Sequence, residues 1–154
     1  MSICIGQESD LACINRVVTE AVMAWPMPER FKRLSVPVLC YSSEDFKHYQ
    51  LLLYRDNGLV VGIAAWNAQA PVLTSMGTGR LLHGLYIAPS SQRLGYGQLL
   101  ISKIATEAME TGADGLLVKA ERPAITFFQR CGLQPLPAVD PTDYPYQFWY
   151  QLNQ

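Results

Sequence analysis

The chain has 154 residues, of which 49% are hydrophobic, and its formal net charge is -1 at pH 7. This length and composition predict one globular domain over residues 1–154, which is large enough to bury most of its apolar surface. Its 12 Lys and Arg residues are scattered along the chain. The scatter excludes the basic stripe that nucleic acid or an anionic membrane would need, so we expect neither as a partner.

Cysteine usage and the N-terminal sequence exclude further classes. The four cysteines lie far apart with no C-x-x-C pair, so we expect reduced thiols and no metal site. The N-terminus has no basic segment followed by an apolar core, and no long apolar run occurs elsewhere. These absences predict neither a signal peptide nor a membrane span, and we therefore expect a cytoplasmic protein.

The first half of the chain predicts a strand, two helices and a hairpin. "SICIG" favours a strand, and Ser9 with Asp10 then opens a helix whose apolar residues recur at spacings of three and four until Pro26. "PERFKRL" predicts one or two further helical turns, and the mixed segment "SVPVLCYSSED" indicates a loop. "HYQLLLYRDNGLVVGIAAW" predicts two strands joined by a turn at residues 56–58, because Asn and Gly accept positive φ.

The second half alternates strands and helices. "RLLHGLYIA" predicts a fourth strand in which Gly84 indicates a bulge. A helix with apolar residues on one face follows and ends at Gly112. "GLLVKA" predicts a buried strand, "RPAITFFQRCG" a second amphipathic helix, and "YQFWYQL" a closing strand. The fold class predicted by this order is α/β.

The stretch "SQRLGYGQLL" places Gly95 and Gly97 between the fourth predicted strand and a helix, where open α/β sheets bind ligands. Unpaired N–H groups at a helix start can hold a phosphate or pyrophosphate. A Walker-type loop would need a Lys after Gly97, and a dinucleotide fingerprint would need a third glycine where Leu100 stands. Neither motif is present.

A different motif fits this stretch. "LYIAPSSQRLGYGQLL" resembles motif A of the GNAT superfamily of acyl-CoA N-acyltransferases, and "AITFFQRCGL" resembles its motif B. The order of predicted elements is also similar to that family's, which implies a mixed, mostly antiparallel sheet flanked by helices. The residues that match the two motifs are Gln92, Gly95 and Gly97, then Ala124, Phe127, Gly132 and Leu133, with Phe128 where the family has tyrosine.

The resemblance implies acetyl-CoA as the cosubstrate. Backbone N–H groups from Gln92 through Gly97 would surround its pyrophosphate, and Gln92 would brace the loop. The backbone of Leu85 and Ile87 would pair with the pantetheine arm. The residues expected to contact the cosubstrate are Leu85, Tyr86, Ile87, Gln92, Arg93, Leu94, Gly95, Tyr96, Gly97 and Phe128.

The catalytic groups are less well specified. Members of this family often use a carboxylate on the fourth strand as base, but the matching position here is Leu81. His83, two residues along and hence on the same face, is the candidate base. Alternative bases are Glu44, Asp45, Glu121 and the C-terminal carboxylate. Because Phe128 has no hydroxyl to protonate the leaving thiolate, the candidate substitutes are Tyr144, Tyr146 and Tyr150.

Two functions are compatible with these residues. The first is an acetyl-CoA-dependent N-acetyltransferase that moves an acetyl group directly to a primary amine of a small molecule or peptide. The second is a CoA-binding sensor or interaction module that has lost turnover, suggested by Leu81 and Phe128 at the two usual catalytic positions. The acceptor is not specified by the sequence, and a homodimer through the closing strands is a further expectation.

Overall fold

A computed structural model describes residues 2–152 of the protein. Its helices are α1 (Leu11–Met23), α2 (Glu29–Leu39), α3 (Tyr96–Glu110) and α4 (Ile125–Arg130). Its strands are β1 (Ser2–Ile5), β2 (Gln50–Asp56), β3 (Leu59–Trp66), β4 (Val72–Thr74), β5 (Gly77–Ile87), β6 (Gly115–Lys119), β7 (Gln134–Leu136) and β8 (Gln147–Gln151). Short 3₁₀ turns occur at Glu8–Asp10, Ser43–Lys47, Pro89–Ser91 and Arg122–Ala124.

The strands form one sheet in the order β1-β2-β3-β5-β6-β8-β7, with β4 paired to β5. Among the strands of the described residues, only β5 and β6 pair in parallel, so the predicted mixed, mostly antiparallel α/β architecture is confirmed. Asn57 and Gly58 close the predicted β2–β3 hairpin with φ values of 52° and 78°. The sequence prediction missed β4, which forms a small hairpin with β5. Thr74 stabilises its turn, since its hydroxyl donates to the Gly77 carbonyl at 2.9 Å.

The second helix is longer than predicted, because α2 continues through part of the supposed loop and contains Pro37. Proline in the last turn removes only one backbone hydrogen bond there. Val36 and Leu39 pack against the apolar cluster beneath α1, and this burial favours the helical geometry. Lys32 is also buried, and its ammonium donates to the Met23 carbonyl at 3.0 Å.

The core lies on both faces of the sheet. One face is covered by α3 and α4, and its buried side chains include Leu82, Leu100, Ile104, Leu116 and Phe128. The other face is covered by α1 and α2, and its buried side chains include Ile14, Val17, Val18, Leu51, Leu53 and Ile63. Within residues 2–152, no helix is long and apolar enough to cross a bilayer.

The strands β5 and β6 part half-way along β5. Their last paired residues are Leu82 and Val118. On its other edge, β5 stays paired with β3, but Ala65 lies opposite Gly84 while Trp66 lies opposite Leu82. The extra residue on β5 makes a bulge, which confirms the irregularity predicted at Gly84 and bends the strand. The carboxyl half of β5 therefore leaves a gap beside β6.

Candidate active site

The gap between β5 and β6 forms an elongated cleft of about 540 Å³. The loop 92–97 lines one end, and β5, β6 and α4 line its length. The far end is bounded by residues at the ends of α1 and α2: Ala21, Ala24, Trp25, Pro26 and Leu39. The two ends differ in charge and chemistry.

The loop end is built to receive an anion. Arg93 and Gly95 have φ values of 66° and 85°, whereas Leu94 between them does not have a positive φ. Such alternation turns successive N–H groups toward one concave side. The Leu99 N–H makes the first helical bond, to the Gly95 carbonyl at 3.1 Å. The N–H groups of residues 96–98 therefore have no helical acceptor, and the helix dipole adds positive potential.

Side chains reinforce this end of the cleft. The Gln92 amide donates to the Ile87 carbonyl at 3.2 Å, which ties the loop to the end of β5. Arg93 and Arg130 both line the cleft and are exposed. Within residues 2–152 neither guanidinium has an ion-pair partner within 4.0 Å. Sequence reasoning had not singled out Arg130.

The residues after Gly95 have structural contacts of their own. A Cβ on Gly97 would lie 2.6 Å from Cζ of Phe127, so this glycine lets α4 pack against α3. The sequence analysis places Gly97 at the pyrophosphate and does not predict this contact with α4. Tyr96 is buried, its ring stacks on Tyr54 and its hydroxyl donates to Asp56 at 3.1 Å. Its side chain therefore anchors the helix start to the β2–β3 hairpin.

The middle of the cleft exposes the edge of β5. The Ala88 N–H donates to the Val61 carbonyl at 2.8 Å, so the backbone groups of Ala88 face β3. Because strand residues alternate, the backbone groups of Leu85 and Ile87 face away from β3, toward the gap. An edge of this kind can pair with an extended chain. Of the residues expected to contact the cosubstrate, all except Leu94 line the cleft, and the Leu94 side chain is exposed.

His83 lies at the bulge, where the two strands part. Its Nδ1 is 3.0 Å from the Tyr41 hydroxyl, and its ring stacks on Tyr49 with centroids 4.2 Å apart. His83 is exposed and lines the cleft. Desolvation by burial lowers the pKa of His83 below its ordinary value of 6.5, and the charge of Asp45 opposes this shift. The imidazole is therefore neutral at pH 7.

The Tyr41 hydroxyl reaches His83 because Gly84 has no side chain. A Cβ at Gly84 would lie 2.5 Å from the phenol oxygen. Tyr41 is 5% exposed, and Asn15 fixes its backbone through two hydrogen bonds of 2.8 Å. The sequence offers Tyr41 only as a possible wall of an apolar acceptor pocket, because it lies in a segment with no periodic pattern, and it does not single out Tyr49 in the predicted hairpin.

Among the carboxylates proposed as alternative bases, Glu121 lines the cleft. Glu44 pairs with Lys47 at 3.1 Å, and Asp45 accepts from the Ser42 N–H at 2.8 Å. The C-terminal carboxylate belongs to residue 154, outside the described residues. Burial raises the pKa of Glu121, and within residues 2–152 its side chain has no hydrogen bond or ion pair. In the same range, no group of three or more His, Cys, Asp or Glu side chains is placed to hold a metal ion.

Not all of the side chains considered as the general acid line the cleft. Phe128 is buried between Phe127 and Phe148, with ring centroids 5.2 and 5.9 Å away, and its ring contributes to the wall of the cleft. Of the tyrosines considered as substitutes, Tyr144 lines the cleft. Tyr146 and Tyr150 do not.

Solved structures share this fold at low sequence identity. The PaiA N-acetyltransferase of Thermoplasma acidophilum, solved with coenzyme A, is 16% identical with a TM-score of 0.74, covering 98% of this chain and 99% of its own. A GNAT family acetyltransferase of Brucella melitensis, solved with acetyl-CoA, is 18% identical with a TM-score of 0.65, covering 99% and 88%. The aminoglycoside 6'-N-acetyltransferase AAC(6')-IG of Acinetobacter haemolyticus is 16% identical with a TM-score of 0.65, covering 91% and 95%.

These likenesses show the fold, and no curated protein matches the sequence. The family model described as Acetyltransferase (GNAT) family matches residues 16–133, which is more than half of the chain and includes both glycine motifs. The chain therefore belongs to the GNAT family of acetyltransferases.

Proposed function

We propose that the protein is an acetyl-CoA-dependent N-acetyltransferase that moves an acetyl group directly to a primary amine of a small molecule or peptide. The observation that carries this proposal is one continuous cleft that joins an anion-binding helix start to a carboxylate among aromatic side chains. The first end suits a diphosphate. The second suits an amine that arrives as an ammonium ion.

Acetyl-CoA fits the loop end and the middle of the cleft. The free N–H groups of residues 96–98 receive the pyrophosphate, and Arg93 and Arg130 attract the remaining phosphate charge. The exposed backbone of Leu85 and Ile87 pairs with the amide groups of the pantetheine arm. The complexes of the Thermoplasma acidophilum and Brucella melitensis proteins with coenzyme A and acetyl-CoA support this assignment.

The far end of the cleft supports an amine acceptor. Glu121 supplies a negative charge, and Trp25, Tyr86 and Tyr144 supply aromatic faces that attract cations. His83 and Glu121 both line the cleft, so Glu121 is an alternative to His83 as the catalytic base. Ala21, Ala24 and Leu39 complete an apolar wall suited to the acceptor's carbon skeleton.

The phenylalanine at position 128 does not prevent transfer. A thiol with a pKa near ~8.5 leaves tolerably as a thiolate, and general acid catalysis is typically worth about 10²–10⁴-fold. Tyr144 is the cleft-lining hydroxyl able to assist departure of the sulfur. The N–H groups in the bent part of β5 polarise the thioester carbonyl.

Two assays test the proposal. Calorimetry with acetyl-CoA measures binding, and a thiol-release screen across polyamines, amino acids, aminoglycosides and peptides measures transfer, with mass spectrometry of the acetylated product. We expect binding and release with at least one amine. Binding without release on any acceptor would support the CoA-binding sensor instead, and no binding would contradict both.

A matched pair of variants ties binding to the loop. Gly95 and Gly112 begin and end α3 with φ values of 85° and 81°, and a Cβ at either position would meet nothing within 4 Å. Gly95→Val and Gly112→Val therefore impose the same backbone strain at opposite ends of one helix. We expect only Gly95→Val to weaken acetyl-CoA binding, by at least about tenfold for a helix N-terminus that loses its phosphate geometry.

A further inference from the structure

We infer that Glu121, rather than His83, takes the proton from the acceptor amine, and that Tyr41 holds His83 as a neutral hydrogen-bond donor through Nε2–H. This inference rests on the proposed function, because it assigns the chemistry of the same cleft. It departs from the sequence prediction that His83 is the base.

The first step concerns the buried phenol. Tyr41 is 5% exposed, and the hydrogen bond of its hydroxyl within the described residues is the one to His83 Nδ1, at 3.0 Å. A buried hydroxyl hydrogen needs an acceptor, and Nδ1 is the acceptor within reach. Burial also holds the pKa of Tyr41 well above 10.0, so the phenol keeps its hydrogen. Tyr41 therefore donates to Nδ1.

The second step fixes the tautomer. A neutral imidazole carries one hydrogen, and when Nδ1 accepts a hydrogen bond the hydrogen resides on Nε2. His83 lines the cleft, so its Nε2–H can donate to an acceptor atom there, and Nε2 offers no lone pair. For His83 to act as base, its hydrogen would have to move to Nδ1, which would leave the Tyr41 hydroxyl hydrogen without an acceptor.

The third step places Glu121 at the acceptor end. Val118 on β6 and Ala120 just after it belong to the core beneath α3. The Ala120 N–H continues the strand pairing by donating to the Tyr146 carbonyl at 2.8 Å, so by alternation Lys119 and Glu121 face the α1 side. Tyr86 also packs on that side and lines the cleft together with Glu121, and burial together with the Glu121 charge raises the pKa of Tyr86. Lys119 does not neutralise Glu121, since it pairs with Asp143 at 2.9 Å.

Acetyl transfer begins with removal of a proton from the acceptor amine. The Glu121 carboxylate accepts one proton from the ammonium, directly or through one water. The freed nitrogen lone pair forms a bond to the thioester carbonyl carbon, and the carbon–sulfur bond breaks with its electron pair on sulfur. The second proton leaves nitrogen and ends on the thiolate, giving amide and free thiol. Glu121 finally releases its proton to solvent.

The matched variants are Glu121→Gln, His83→Gln and Glu44→Gln. We expect Glu121→Gln to lower kcat by about 10²–10⁴-fold and to abolish the acidic limb of the pH profile. His83→Gln keeps a donor in place of Nε2–H, so it should retain the acidic limb with a much smaller loss. Glu44→Gln removes a surface carboxylate that pairs with Lys47 outside the cleft, and should leave turnover unchanged.

Other ionisable side chains at this site could also affect the pH profile. The titratable groups that line the cleft with Glu121 are His83 and Tyr86 on β5, Tyr96 at the start of α3, Tyr144 before β8 and Cys131 after α4, and the charged ones are Arg93, Lys119 and Arg130. Of these, His83 is the group whose ordinary pKa, 6.5, lies nearest the acidic limb. The comparison of Glu121→Gln with His83→Gln therefore separates the two assignments. Acetyl-CoA affinity within about twofold of wild type shows that each variant keeps its fold and cosubstrate site.

A measurement independent of turnover tests the role of Tyr41. Nitrogen-15 NMR of the free protein should show His83 with its hydrogen on Nε2, and Tyr41→Phe should shift the ring toward a mixture of tautomers. A wild-type hydrogen on Nδ1, or loss of the acidic limb in His83→Gln but not in Glu121→Gln, would overturn the inference. A wild-type protein that acetylates no amine would overturn the proposed function itself.

Discussion

Adding one methyl group at Gly84 should uncouple Tyr41 from His83. The new Cβ would lie 2.5 Å from the Tyr41 hydroxyl and 3.0 Å from Cε2 of Tyr86, whereas real Cβ atoms essentially never come closer than 3.0 Å. Gly84 does not have a positive φ, so alanine fits its backbone and the cost arises from these contacts. Displacing a buried hydroxyl from its partner and overpacking its site each cost about 1–3 kcal/mol.

A double-mutant cycle isolates the hydroxyl. In Tyr41→Phe the oxygen is absent, and the nearest atom of that ring, Cζ, lies 3.7 Å from the new Cβ, which is ordinary contact. Gly84→Ala should therefore cost less in the Tyr41→Phe background, with a coupling free energy between about 0.5 and 3 kcal/mol. Urea unfolding of the wild type, the two single variants and the double variant measures it. Equal costs in both backgrounds would refute the reasoning.

Three further predictions concern the cleft. Gly97→Ala places a Cβ 2.6 Å from the Phe127 ring, so urea unfolding should show that the free energy of unfolding falls by about 1–3 kcal/mol. Calorimetry should show a weaker affinity for acetyl-CoA. Unchanged stability would contradict the packing role of this glycine. Gln92→Ala removes an exposed hydrogen bond of 3.2 Å to the end of β5, so the free energy of unfolding should change by less than about 0.5 kcal/mol. The affinity for acetyl-CoA should nevertheless fall. An unchanged affinity would exclude the role of Gln92 in holding the loop. Burial raises the pKa of Glu121 above its ordinary 4.5, so its contribution to stability is present below that value and is lost as the pH rises through the folded-state pKa. Glu121→Gln should therefore raise the Tm at neutral pH, with a smaller gain near pH 4.5, and a gain that grows on acidification would contradict this sign.

Local patterns in the sequence determined much of the scaffold. The hairpin turn at Asn57 and Gly58, the bulge at Gly84 and the glycine that begins α3 each depend on the conformational range of one or two residues, which is visible in the chain itself. Hydrophobic periodicity predicted α1, α3 and the central strands, because the spacing of apolar residues is also visible in the chain itself. The two glycine motifs were sufficient to indicate the GNAT family.

Only the tertiary structure decided the chemistry of the cleft. Tyr41 and His83 are 42 residues apart, and no periodicity relates them. The contact of Gly97 with Phe127 and the position of Glu121 in the cleft likewise depend on how α4 and β6 lie beside β5. Burial and the choice of hydrogen-bond partner control the proton affinity of a side chain. Both arise from packing between segments distant along the chain, so the role of each titratable group emerges only when the fold is complete.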